Sequence, residues 1–441
     1  MLRRKILEDL REWRKDKKRK CILLKGPRQV GKTFIVEEFG KEYESFVKID
    51  FTTNPRLKTI FDGDLDVDTI VKMISAHDRK ARFIPGKTLI FFDEIQECPR
   101  ARTSLKPFAI DGRYDVVASG SLLGIHFKNT EDAPVPVGYE REILMHSLDL
   151  EEFLWATGID EAIIAEIRES VHEMRPLGPA MYSLIASRFR DYLVVGGMPN
   201  AVQEFVSEGT YSAAWNENRT VLRSCIDDIE RYVTGPNRNK TKACFESIPR
   251  QLASTNRRFT YADLDPDDPN AARKYESNLI WLRDAGIVTY CHRLNQPKVP
   301  LDANVDERLF RVYLHDIGML TASYDYELVS RIVNGDRDAY IGAIMENCVS
   351  SCLVRQGRTP YYFERKSRLE VDFVTMIGPD VAAIEVKSGD ERTSLSLNRL
   401  ESSGYHVDRL IKLENSDIGM TDDGVEHYPL FCAGFLDSME R

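Results

Sequence analysis

Eight consecutive residues, Gly26-Pro27-Arg28-Gln29-Val30-Gly31-Lys32-Thr33, set two glycines, a lysine and a threonine at the spacing that cradles a nucleotide phosphate. The glycines let the backbone bend so that successive N–H groups point into one concavity, and the following helix N-terminus adds to its pull on an anion. Lys32 can reach the β and γ phosphates, and the Thr33 hydroxyl can ligate Mg²⁺. Further on, residues 87–95 form an apolar run that delivers Asp93-Glu94. Asp93 suits the Mg²⁺ shell, usually through water, and Glu94 suits a base that polarises the attacking water. Residues 114–121 end in small hydroxyl side chains, and Ser119 or Ser121 could position that water near the γ phosphate.

A second set of charged residues lies in the last third of the chain. Residues 369–374 alternate as a strand should, with Asp372 on the side opposite Leu369, Val371 and Phe373. Residues 381–387 read as the next strand, where a period of two puts Glu385 and Lys387 on one face. Asp372 and Glu385 could hold a divalent cation that activates water, while Lys387 orients that water or neutralises a phosphorane. Glu346 would close the site from a helix striped with Ile341, Ile344, Met345, Cys348, Val349 and Cys352. Whether Asp372 meets the others depends on strand register, since a slip of one residue turns it away. The competing reading is a salt-bridged strand in a domain that binds without cutting.

The elements that must hold these residues show in outline. Residues 21–25 are a compact apolar run of the kind a buried parallel strand shows, and residues 34–39 begin a helix, so the glycine loop sits between strand and helix. Residues 46–51 read as a second strand and 65–75 as a helix. The acid-bearing strand is expected adjacent to the phosphate loop. Residues 160–181 favour helix, with a break at Pro176-Leu177-Gly178-Pro179, and Gly196-Gly197-Met198-Pro199 reads as a helix end and tight turn. Residues 248–252, 260–264 and 271–284 read as three short helices ahead of a strand at 286–290. That order is the build of a winged helix, whose third helix would carry Arg273 and Lys274 to DNA. The acidic stretch at Asp263, Asp265, Asp267 and Asp268 argues instead for protein contacts or a purely architectural role.

Length and composition set the bounds. The 441 residues allow roughly three domains of about 150 residues each. With 42% hydrophobic and 30% charged residues the chain is ordinary for a soluble protein. No apolar run approaches the roughly 20 residues of a membrane span. The N-terminus lacks a secretory signal's apolar core, so a cytoplasmic protein without membrane contact is expected. The eight cysteines are scattered without a C-x-x-C pair, which points to reduced thiols and not to zinc. A net charge of −9 speaks against nonspecific nucleic-acid binding by the whole surface. The N-terminal segment runs the other way: Arg3, Arg4, Lys5, Arg11, Arg14, Lys15, Lys17, Lys18, Arg19 and Lys20 outnumber its acids. Such a segment can bind phosphate backbone, or it can be the wet face of an amphipathic helix built on Ile6, Leu7, Leu10 and Trp13.

The glycine loop, the Phe91-Phe92-Asp93-Glu94 strand end, the turn Gly120-Ser121-Leu122-Leu123-Gly124 and the stretch Leu148-Asp149-Leu150-Glu151-Glu152-Phe153-Leu154 occur in that order. Together they resemble the AAA superfamily, in the prokaryotic branch that joins an ATPase module to a C-terminal domain of uncharacterised function. The Tyr192-to-Pro199 stretch is also seen in that branch, and the resemblance spans essentially the full length. It implies ATP with Mg²⁺, a helical lid, and an arginine that stabilises transition-state charge. Many members carry Gly-Arg before the Leu-x-Leu-x-Glu-Phe stretch. Here Gly138-Tyr139-Glu140-Arg141 stands in its place, which makes Arg141 the nearest substitute, and Arg188 or Arg190 could serve from the lid. The helix glutamate, strand aspartate and Glu-x-Lys of the C-terminal set resemble the restriction-endonuclease-like PD-(D/E)XK fold.

The expected architecture is therefore α/β: an AAA-type P-loop core at 1–150, a helical lid at 151–235, a winged helix at 236–300 and a nuclease-like domain at 301–441. The expected function is Mg²⁺-dependent ATP binding and hydrolysis, acting on DNA through the C-terminal half. The alternative is an ATP-switched binding or regulatory protein whose nuclease-like domain does not cut. Glu94 and Lys32 are the catalytic candidates of the first site, with residues 26–33 and Ser119 around the nucleotide and Thr33 and Asp93 at Mg²⁺. Glu346, Asp372, Glu385 and Lys387 are those of the second, where Asp372 and Glu385 would hold a second divalent cation. A small-molecule kinase is disfavoured by the Asp93-Glu94 pair and the large C-terminal half. Oligomeric state is left open, with room for a homo-oligomer or a protein partner.

Overall fold

The computed structural model describes residues 2–16, 19–122, 134, 136–336, 339–365, 369–387 and 395–440. They form two compact units: residues 3–147 with 284–286, and residues 148–283 and 287–441 with the first two residues.

The first unit is built on five parallel strands, β1 (Cys21–Gly26), β2 (Ser45–Asp50), β3 (Thr88–Asp93), β4 (Asp115–Ser121) and β5 (Glu140–Leu144), in the order β2-β3-β4-β1-β5. Helices α1 (Ile6–Lys15) and α2 (Lys32–Gly40) pack on one face, and α3 (Val67–His77), α4 (Pro99–Thr103) and α5 (Leu105–Asp111) on the other. Neighbouring strand residues therefore enter different cores. Leu89 and Phe91 meet Leu10, Trp13 and Phe39, whereas Ile90 and Phe92 meet Ile70, Leu105 and Phe108. Burial on both faces is why these strands read as unbroken apolar runs. The acid-bearing strand β3 is separated from β1 by β4, which is hydrogen-bonded to both.

The second unit begins with helices α6 (Leu150–Ala156), α7 (Glu161–Glu173), α8 (Pro179–Val195), α9 (Pro199–Glu208) and α10 (Tyr211–Tyr232). Gly196, at φ +72°, ends α8, and Pro199 opens α9, which is the turn the Gly-Gly-Met-Pro stretch predicts. A Cβ on Gly197 would lie 2.0 Å from the Leu148 carbonyl oxygen, and one on Gly196 2.3 Å from the Asp316 carboxylate. Buried Asp316 accepts from the Gly197 and Gly318 amides at 2.9 Å each and pairs with Arg355 at 3.3 Å. Next come α11 (Asn237–Leu252), which starts well before the expected residue 248, a 3₁₀ turn at Tyr261–Asp263, and α12 (Ala271–Asp284).

The remainder is an eight-stranded sheet: β6 (Val288–Leu294), β7 (Val305–Leu314), β8 (Tyr361–Arg365), β9 (Leu369–Ile377), β10 (Asp380–Val386), β11 (Arg409–Glu414), β12 (Gly419–Met420) and β13 (Glu426–Pro429). Its order is β12-β13-β11-β10-β9-β8-β6-β7. Helices α13 (Ile317–Ala322), α14 (Glu327–Asn334), α15 (Ala339–Arg355) and α16 (Leu395–Ser402) complete it. β6 and β7 form an antiparallel hairpin after α12, where a wing would stand, and β6 also runs parallel to β8. Residue 300 thus falls inside a hairpin that shares its sheet with Glu385.

Candidate functional site

The glycine loop runs from the end of β1 into α2. Gly31 takes φ +94°, and Gln29 takes φ +62°, a left-handed turn that its residue type did not announce. Gly26 is required for close approach, since a Cβ there would lie 2.3 Å from the Met145 carbonyl oxygen. Lys32 is buried and folded back on the loop, its Nζ donating to the carbonyls of Gly26 at 3.0 Å and Pro27 at 2.7 Å. Burial pulls its pKa down to about 8 against the opposing pull of Glu94 and Asp93, with Arg28 adding to the fall.

Asp93 ends β3 and gathers donors from three elements. Thr33 Oγ1 of α2 lies 3.1 and 3.0 Å from its two oxygens, Ser119 Oγ of β4 donates at 2.5 Å, and Lys48 Nζ of β2 stands 3.2 Å away. Because β4 sits between β1 and β3, Ser119 bridges the loop strand to the acid strand. The same hydroxyl accepts from the Glu94 amide at 3.4 Å. Glu94 itself turns out of the strand at φ +55° with its carboxylate held by the Gln96 amide. Left-handed backbone at a non-glycine residue costs about 1–3 kcal/mol and gathers at functional positions. Ser121 is buried at the end of β4, and the expected turn through Leu123 and Gly124 lies outside the described residues.

The sequence did not single out Lys48 or Arg4 for this site. Arg4, from the basic N-terminal segment, donates to the Val30 carbonyl at 3.0 Å and the His146 carbonyl at 2.7 Å, so it braces the glycine loop from behind. Others of that segment are also spent internally. Arg11 pairs with Glu8 and Glu42, Lys15 with Glu12 and Arg19 with Asp115, while Ile6, Leu10 and Trp13 are buried. The amphipathic-helix reading accounts for them, and Lys17 and Lys18 lie outside the described residues. Arg141 lies on β5. It pairs in register with Ile22, four residues before Gly26, which puts it roughly 13 Å down the sheet from the strand ends. Arg188 pairs with Asp191 at 3.1 Å within α8.

The C-terminal set does come together, though with unexpected company. Between Tyr361↔Val374 and Phe363↔Val371, β9 spends one residue more than β8, a bulge at Asp372-Phe373. The bulge re-aims Asp372, whose Oδ2 accepts from the Val386 amide at 2.8 Å. Lys387 stands 3.2 Å from Glu385, as the period of two requires. Burial raises the Glu385 pKa, Lys387 opposes the rise and Asp372 adds to it. Two arginines that the sequence reading passed over face the acids. Arg257 pairs with Glu346 and lies 3.8 Å from Asp372, while Arg311 lies 3.4 Å from Glu346, 3.8 Å from Asp372 and also pairs with Glu370. Tyr313 donates to Glu346 at 3.2 Å. In this arrangement the residues do not fit the second divalent cation. Guanidinium groups stand at the carboxylates, and among the described residues no three His, Cys, Asp or Glu side chains gather as a metal site.

On α12, Arg273 is exposed, while Lys274 is turned onto the acidic stretch, pairing with Asp265 and lying 3.5 Å from Asp268.

Residues 18–154 match the family model described as an AAA domain. The first unit has a P-loop ATPase-like α/β fold, and most of it matches the AAA domain model. Residues 186–327 and 341–430 match two domains of unknown function, DUF8612 and DUF4143. Similar solved structures include a Walker-type ATPase of Pyrococcus abyssi, at 12% identity and TM-score 0.40, covering 73% of this chain and 96% of that one. An ORC2 protein of Aeropyrum pernix in ADPNP and ADP complexes matches at 13% identity and TM-score 0.37, over 76% of this chain and 93% of that one. The ORC1 protein of the same organism in complex with DNA matches at 12% identity and TM-score 0.28, over 75% and 90%. No curated protein matches the chain. The ATPase assignment rests on the family model and on the geometry around Asp93. Among the described residues no helix is long and apolar enough to cross a membrane.

Proposed function

We propose that this protein binds and hydrolyses ATP with Mg²⁺ at residues 26–33. The observation that carries the reading is the set of donors on Asp93: the Thr33 and Ser119 hydroxyls lie within 3.1 Å of a carboxylate at the carboxyl end of a parallel sheet, beside Lys32. These hard oxygens suit Mg²⁺, with Thr33 and Asp93 to hold it. Bound there, Mg²⁺ supplies neutralisation of charge on the β and γ phosphates. Lys32 leaves the Gly26 and Pro27 carbonyls for those phosphates. Glu94 takes the proton of the attacking water, and Ser119 sets its position by holding the Asp93 carboxylate and the Glu94 amide together. Steady-state ATPase assays of the wild type and Glu94→Gln test this, and hydrolysis at the wild-type rate in the variant would refute the role of Glu94.

For the second unit the reading is action on DNA, with residues 151–235 as lid, 236–300 as winged helix and 301–441 as nuclease-like domain. The order α11, 3₁₀ turn, α12 and β6–β7 hairpin, with Arg273 exposed on α12, supports it. Fluorescence anisotropy on duplex DNA should show binding that weakens steeply with salt, because phosphate contacts release counterions. Arg273→Ala should weaken it further. Lack of affinity at low salt, with and without ATP, would leave the ATP-switched binding protein. One observation favours a non-cleaving state of the C-terminal domain: arginines already face Glu346 and Asp372. Wild-type protein is expected not to nick plasmid DNA with Mg²⁺ or Mn²⁺, and nicking that Asp372→Ala removes would overturn that.

A further inference from the structure

We propose that Gln96 is a positioning residue for ATP hydrolysis: its side-chain amide aims the Glu94 carboxylate at the attacking water. The proposal rests on reading Glu94 as the base that takes that water's proton. The backbone of Glu94 is fixed on both sides. Its amide donates to Ser119 Oγ at 3.4 Å, and its carbonyl accepts from the Glu97 amide at 2.9 Å. Ile95, next along, is buried in the core with Phe92 and Phe108. None of these contacts reaches the end of the glutamate side chain, which keeps its own torsions to settle. Among the described residues, the one hydrogen-bond donor to its carboxylate is Nε2 of Gln96.

Two features of Gln96 show what the amide is for. The carboxylate decides which way it faces, because an ionised carboxylate only accepts, so Nε2 must meet it. Oε1, at the other end, is then buried and has no hydrogen-bond partner among the described residues. Leaving a buried acceptor unpaired costs free energy that an apolar side chain of similar length would avoid. Gln96 is only 5% exposed, so contact with water does not explain an amide here either. What the amide gains is its charge-assisted bond to Glu94. The left-handed backbone serves the same end. Glu94, at φ +55°, leads straight into the 3₁₀ turn Ile95–Glu97. That sharp turn lets side chains two residues apart face each other, which a continuous α-helix would not allow.

The test compares Gln96→Met with wild type and with Glu94→Gln in the full-length protein, by steady-state ATPase assays and titration with a fluorescent ATP analogue. Methionine keeps the length of the side chain while removing both the donor and the unpaired acceptor. Gln96→Met should melt no lower than wild type and bind nucleotide with the same Kd. Its kcat should fall by about 10–100-fold, the scale of a reacting group misplaced by about 1 Å. Because Gln96 acts through Glu94, adding Gln96→Met to Glu94→Gln should cost nothing further. A wild-type kcat in Gln96→Met, or a second loss of the same size in the double variant, would overturn the proposal. So would a loss of nucleotide affinity as large as the loss in kcat, which marks a packing role. Wild-type turnover by Glu94→Gln would instead overturn the reading of Glu94 beneath it. Should Gln96→Met fail to fold, Gln96→Asn is measured in its place. It keeps the amide on a shorter stem, so a loss of kcat is again expected and an unchanged kcat refutes the positioning role.

Discussion

Two clusters of acids, one in each unit, differ in what else points at them. Asp93 is met by two hydroxyls and one lysine amine, groups that can share a cation or step aside for phosphate. Glu346 and Asp372 are met by two guanidiniums, which hold carboxylates in place and keep their charge at any working pH. Carboxylates alone therefore do not make a metal site. Their neighbours decide whether the negative charge is available or already answered.

The comparison breaks first, and hardest, at Glu94. If Glu94 is the base, Glu94→Gln should slow ATP hydrolysis by about 10²–10⁴-fold while ATP binding persists; a fluorescent-nucleotide titration beside the turnover assay reads both. Ser119→Ala should come next. It removes the hydroxyl that holds Asp93, and loss of such a supporting bond typically costs about 10–100-fold in metal affinity. The Mg²⁺ concentration for half-maximal hydrolysis should rise accordingly, and an unchanged requirement would show that Ser119 only fills space.

Lys32 predicts a pH dependence. Burial lowers its pKa to about 8, so above that pH Lys32 is largely neutral before nucleotide binds, and binding a phosphate must take up a proton. ATP affinity should hold below pH 8 and fall above it, by up to about tenfold per pH unit. Lys32→Arg, which stays charged, should flatten that slope even if it binds more weakly throughout. Titration of affinity from pH 7 to 9.5 decides it. The smallest effect is expected across the two units: Asp372→Asn should change ATP turnover by less than about twofold, as additivity of separate sites implies. A large loss would mean that the two acid clusters are coupled.

Much of the first unit was legible because its chemistry is local. The glycine loop needs particular residues in a row, and the acids must follow an apolar strand, so spacing along the chain carries the signal. The helix ends at Gly196 and Pro199 were readable for the same reason. The unread features join residues far apart in sequence. Arg4 reaches Val30 and His146, Lys48 reaches Asp93, and Arg257 and Arg311 reach Glu346, all across gaps that no periodicity marks. Lys274 looked like a DNA contact until the acidic stretch folded onto it.

The sequence alone determined the phosphate loop, the acid pair, the Glu385–Lys387 face and the α/β character, since each follows from backbone geometry over a few consecutive residues. Only the tertiary structure decided that β4 separates β1 from β3, and so that Ser119 is the bridge between loop and acid. Only it placed a bulge at Asp372, and only it set two arginines against the C-terminal acids. Strand order, register and charge pairing depend on which distant segments meet, and the free energy that chooses among them comes from burying the whole core.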